Sequence, residues 1–214
     1  MNPADAAVQL QTIRTLMERS SLYRRAVGPM FVGLGLLGLA AGLIGYSLAV
    51  GNEQGLIFVL YWSGVAVVAV IGASLGVRGQ ALGADEPFWT PPTRRVVAAM
   101  APPFVVALAG TVYLTVLFGP MTKVIGITIP PLWMALHGLA LHGAGYFTLR
   151  GIRWLGWAFI GTSMGFGALG AALSANYADL PTLRLAHLAM GLTFGLGHLL
   201  AGSWIIVAER RTVP

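Results

Sequence analysis

The sequence predicts an all-α integral membrane protein, a six-helix transmembrane bundle with both termini cytoplasmic and an N-terminal amphipathic helix. Three observations carry that reading. Hydrophobic residues make up 57% of the 214-residue chain and charged residues only 9%, against about 25% charged in an average soluble domain. A core of this size cannot hide so much apolar surface from water, so a bilayer is the natural solvent. The apolar residues fall into six continuous runs, and the basic residues gather on one side of them. Continuous runs argue for helices, since barrel strands alternate.

The first element is "AAVQLQTIRTLMERSSLYRR". Ala6, Leu10, Ile13 and Met17 fall at helical spacing, with Arg14, Glu18 and Arg19 off that stripe. Residues 1–25 therefore form an amphipathic cytoplasmic or interfacial helix, and residues 26–214 form the membrane domain. Residues 4–25 either lie on anionic headgroups or dock a cytoplasmic protein partner, and both uses employ the same face. A secretory signal is not expected, because this polar, arginine-rich stretch precedes any long apolar run.

The run "IRTLMERSSLYRRAVGPMFVGLGLLGLAAGLIG" resembles the start of a group of small bacterial inner-membrane proteins. In that group a charged helix with a Met-Glu-Arg-Ser core leads into a glycine-rich first span. The resemblance covers Ile13 to about Gly45 and implies a bacterial inner-membrane location; it implies no catalytic activity.

The six spans are expected at about 26–49, 55–77, 96–118, 129–149, 152–174 and 183–207, each near or above the ~20 residues that cross a bilayer as a helix. Pro102-Pro103 interrupts the third span and should kink it. Pro130-Pro131 opens the fourth, where proline is a good helix start. The longest connection, "RGQALGADEPFWTPPTRR", reads as an irregular loop, and no connection has room for a soluble domain. Small-xxx-small pairs (Gly38 with Gly42, Gly72 with Gly76, Gly161 with Gly165, Gly191 with Gly195) let helix backbones approach closely, within the bundle or in a homo-oligomer.

Orientation follows from the basic residues. Arg14, Arg19, Arg24, Arg25, Arg78, Arg94, Arg95, Arg150, Arg153, Arg210 and Arg211 lie on the side shared by the termini, and only Lys123 and Arg184 lie on the other. Short loops with that bias place both termini in the cytoplasm. The same scatter argues against a nucleic-acid partner, since the charges mark span ends rather than a binding face.

All four histidines fall in two spans, and they are the candidate site. His187 and His198 are eleven residues apart and so about 20° from one another on a helix, effectively one stripe; His137 and His142 differ by about 140°. Counted from the outer ends of their spans, His142 lies ~20 Å deep and His198 ~23 Å, while His137 at ~12 Å and His187 at ~7 Å match less well. If one pair holds an iron or a metal it is therefore His142 with His198, one from each of two helices, as in haem b ligation. A polar cavity without metal would use His137, Tyr146, Arg184 and His187. The remaining alternative is that the imidazoles hydrogen-bond within the bundle, to carbonyls or to hydroxyls such as Thr193, Ser163 or Tyr146.

Absences narrow the chemistry further. There is no cysteine, which removes disulfides, thiolate catalysis and cysteine-ligated metals. No Asp or Glu falls deep in any span, so proton-coupled carriers and intramembrane hydrolases lose support. No phosphate-binding loop, dinucleotide fingerprint or HExxH is present. The expectation is a non-enzymatic regulatory, sensing or assembly module with no cofactor. The alternatives are a haem b electron-transfer protein using His142 and His198, and a small-molecule transporter.

Overall fold

The computed structural model describes residues 27–83, 85, 87–177 and 182–212. The helix expected over residues 1–25 lies outside them. Among the described residues the chain is helical, with six helices long and apolar enough to cross a membrane. The first five are α1 (Val27–Ser47), α2 (Gly55–Gly83), α3 (Pro91–Phe118), α4 (Thr122–Ala144) and α5 (Arg150–Asn176). The sixth span has three parts: α6 (Thr182–Met190), a π-helical segment (Gly191–Leu196) and α7 (Gly197–Thr212).

Local chemistry explains most of the boundaries. The Thr90 side chain accepts from the Thr93 amide and Pro91 takes the first helical position, so α3 starts before the apolar run and takes in Arg94 and Arg95. After α1 the chain turns with Ala49 and Gly51 at positive φ. At Gly51 a Cβ would also come within 2.5 Å of the Phe58 amide nitrogen, so both backbone and space call for glycine.

The fourth span departs from expectation. It begins at Thr122, and Pro130 and Pro131 lie inside α4 rather than at its first turn. Two internal prolines remove helical hydrogen bonds and disfavour such a helix. The preceding turns hold because Ile125 and Ile129 are completely buried and Gly126 packs against Thr182. Burial outweighs local propensity here.

Helix α4 is the axis of the bundle. Half of its apolar window is buried, against 6% for α3, which lies at the periphery. Helices α4 and α5 run antiparallel in close contact: a Cβ on Gly138 would meet Gly156 O at 2.7 Å, and one on Gly156 would meet Gly138 O at 2.6 Å. A second seam joins α1 to the sixth span, where Gly28 faces Gly202, Gly38 faces Gly195, Gly42 faces Gly191 and Gly45 faces the His187 ring. The pairs Gly38/Gly42 and Gly191/Gly195 are thus two halves of one interface. By contrast Gly72, Gly76, Gly161 and Gly165 have nothing within 4 Å of a built Cβ and face open space.

Side-chain hydrogen bonds stitch neighbouring helices together. Tyr61 OH donates to Ala41 O at 2.7 Å, joining α2 to α1. Trp133 Nε1 donates to Thr111 Oγ1 at 2.6 Å between α4 and α3. Ser163 Oγ donates to Pro131 O at 2.7 Å between α5 and α4. Each removes a polar group from the apolar surroundings that would penalise it unpaired.

Candidate functional site

The four histidines occupy three separate environments. His187 lies near the start of the sixth span and is fully buried. Trp62 Nε1 donates to His187 Nδ1 at 3.0 Å, and His187 Nε2 lies 2.8 Å from Val50 O. An indole nitrogen only donates and a carbonyl only accepts, so Nδ1 is bare and Nε2 carries the proton. The ring is further enclosed by Phe58 and Tyr61. Every hydrogen-bonding position of this neutral imidazole is filled from within the fold, and it clamps the turn after α1 to the sixth span.

Arg184 serves the same junction. Its Nε donates to Tyr46 O at 3.0 Å and its guanidinium lies 4.6 Å from the Tyr46 ring centroid. A cation on the last carbonyls of α1 suits that helix terminus.

His198 follows the π segment, and there it meets His137 of α4. Their Nε2 atoms are 3.3 Å apart. His198 Nδ1 lies 2.7 Å from Phe194 O, and since the carbonyl only accepts, Nδ1 is the protonated nitrogen. In the neutral ring Nε2 is then bare, so it accepts from the Nε2–H of His137. The pair sits in an aromatic enclosure with Phe31 of α1 against His198, Phe104 of α3 against His137, and Phe159 and Phe194 against both. None of those four rings can titrate or carry charge.

The pairing of His142 with His198 expected from depth is corrected to His137 with His198. Because α4 starts at Thr122, His137 stands roughly 22 Å along its helix instead of ~12 Å, close to the roughly 24 Å of His198. With about 140° between the two histidines of α4, only one can face the sixth span. His142 instead turns to Tyr146 and to Trp157 of α5, with ring centroids 5.4 and 5.2 Å away. Its Nδ1 is buried without a hydrogen-bond partner.

His187 and His198 both face α1, as one stripe requires, but their other neighbours differ. The π segment between them turns through fewer degrees per residue than an α-helix. His187 contacts α1 at Gly45 and also α2, while His198 contacts α1, α4 and α5. Nor do His137, Tyr146, Arg184 and His187 line one cavity. Arg184 and His187 bind the end of α1 and its following turn, whereas Tyr146 lies past the C-terminus of α4 under the Arg153 guanidinium.

These positions bear on the cofactor alternative. The His137–His198 separation is that of a direct hydrogen bond, and phenyl rings pack against it on several sides. His142 and His198 share no neighbouring ring: His142 faces Tyr146 and Trp157, and His198 faces Phe31, His137, Phe159 and Phe194. Among the described residues no three His, Asp or Glu side chains converge as metal ligands.

Sequence reasoning missed Trp62, which orients His187 from 125 residues away. It also missed the π segment, for which the only local sign is the close spacing of Gly191, Gly195 and Gly197. No protein-family model, curated protein or solved structure matches the chain.

Proposed function

We propose that this chain is a bacterial inner-membrane protein with both termini cytoplasmic, acting as a non-enzymatic sensing module with the His137–His198 pair as its sensing element. One observation carries the reading: His198 commits its Nδ1–H to Phe194 O, which leaves its bare Nε2 to accept from His137. A proton added to His198 Nε2 turns that acceptor into a donor facing the Nε2–H of His137 and breaks the bond as it stands. Phe31, Phe104, Phe159 and Phe194 are the groups packed against the pair, and none offers a counter-charge.

The adjoining π segment supplies an element that can respond. Such segments recur at functional sites and hold an extra residue within a helical frame. Loss of the His137–His198 bond frees His198 to shift α7 relative to α4, and α7 leads to the arginine-rich end. A cytoplasmic partner on residues 4–25 would read that shift, which is the link between site and output.

The test is 15N NMR of histidine-labelled protein in lipid nanodiscs, with resonances assigned through His→Gln variants. At neutral pH His198 should appear as the Nδ1–H tautomer and His137 as the Nε2–H tautomer. On acidification the two should change together, and amide exchange in α7 should rise with them. Independent titration of the two rings, or an α7 indifferent to pH, would overturn the proposal.

A further inference from the structure

Helices α5 and α7 leave a furrow open to the side of the bundle. Its volume is about 360 Å³, at the lower end of the range for ligand sites, roughly 300–1,000 Å³. The floor includes Phe31 and Ile152, both almost wholly buried, and the small residues Gly197 and Ala201. Trp154 and Trp204 stand along it, 65% and 63% exposed. Its lining is apolar throughout.

The furrow begins at the arginine-rich end of the bundle. Gly151, which lines it, is next in sequence to the exposed Arg150, and a Cβ built on it would lie 3.0 Å from the Trp204 ring. Among the described residues that end also carries Arg78, Arg94, Arg95 and Arg153, together with the acidic Asp85 and, in α7, Glu209. Tryptophan at this level suits a membrane–water interface, and clustered arginine favours anionic headgroups. Because α5 and α7 touch one another, the furrow between them is narrower than the about 8–10 Å that separates packed helix axes. A hydrocarbon chain enters such a space; another helix does not.

We propose that this furrow binds one acyl chain of an anionic phospholipid, with the headgroup phosphate held at Arg150. The inference is independent of the histidine pair. It rests on the coincidence of an apolar slot, two flanking indoles and a cation at the mouth.

Phospholipids brominated on their acyl chains quench tryptophan on contact, and this tests the site in the full chain reconstituted into phosphatidylcholine vesicles. Brominated phosphatidylglycerol at low mole fraction should quench a saturable part of the emission, and brominated phosphatidylcholine should need a much higher fraction. Arg150→Gln should weaken the phosphatidylglycerol effect about fivefold, as expected for one arginine at an anionic surface. Ala201→Phe or Ala158→Phe, which fill the furrow from opposite walls, should abolish the saturable part in protein that remains monodisperse. Equal quenching by the two headgroups in the unaltered chain would overturn the proposal, and so would saturable quenching that survives both fillings. Crosslinking of Trp204→Cys to a second copy at low detergent would overturn it too, by showing that a protein covers the furrow.

Discussion

Gly42 and Gly191 meet backbone to backbone: a Cβ built on Gly42 would lie 2.5 Å from Gly191 Cα, and one on Gly191 would lie 2.8 Å from Gly42 Cα. In a bilayer, where lipid is as apolar as leucine, such close packing is what drives helices together. The contact also anchors the first residue of the π segment against α1.

Gly42→Ala should therefore destabilise the bundle by about 1–3 kcal/mol, the usual cost of overpacking. Gly72→Ala is the control, since nothing lies within 4 Å of its built Cβ, and it should be neutral or stabilising by up to about 1 kcal/mol from helix propensity. Reversible unfolding in mixed micelles measures both. Equal effects at the two positions would refute the α1–sixth-span seam.

Trp62→Phe keeps an aromatic ring but deletes the donor to His187 Nδ1. Leaving that buried nitrogen unpaired should cost about 1–3 kcal/mol. Trp157→Phe, at an exposed ring, should stay within about 0.5 kcal/mol of the parent. The same unfolding assay decides, and a Trp62→Phe cost no larger than the control would remove the clamp from the account.

Thr111→Val and Ser163→Ala separate two kinds of stitch. Ser163 donates to a carbonyl, so its loss should cost about 0.6 kcal/mol, the average for interhelical bonds in membranes. Thr111 accepts from Trp133, and Val there strands an indole N–H in an apolar setting, at about 1–3 kcal/mol. The ordering Thr111→Val above Ser163→Ala is the expected result.

Topology is tested by single cysteines in this cysteine-free chain. A cysteine replacing Asn52 should react with an impermeant thiol reagent in intact cells, and one replacing Asp85 should be shielded until the membrane is opened. The reverse pattern would invert the orientation taken from the arginines.

Much of the architecture was legible because a bilayer imposes local requirements. Length and continuous apolarity are properties of a segment by itself, and the six runs are six helices. Gly38 and Gly42 were readable as contact residues for the same reason, although the identical spacing at Gly72 and Gly76 leads to open space. Spacing shows that a helix can be approached closely; it does not say whether another helix is there.

The sequence by itself determined that the chain is a helical bundle of membrane-spanning length, that its histidines lie in the fourth and sixth spans, and that no carboxylate lies deep among them. Which histidines meet was decided by tertiary structure. Proline at a helix start is the local preference, yet the burial of Ile125 and Ile129 extends α4 back to Thr122 and brings His137 into reach of His198. The π segment lies between His187 and His198, whose neighbours beyond α1 differ, and Trp62 holds His187 from another helix. These outcomes depend on contacts between residues far apart in the chain, whose energies exceed the local propensities that a sequence displays.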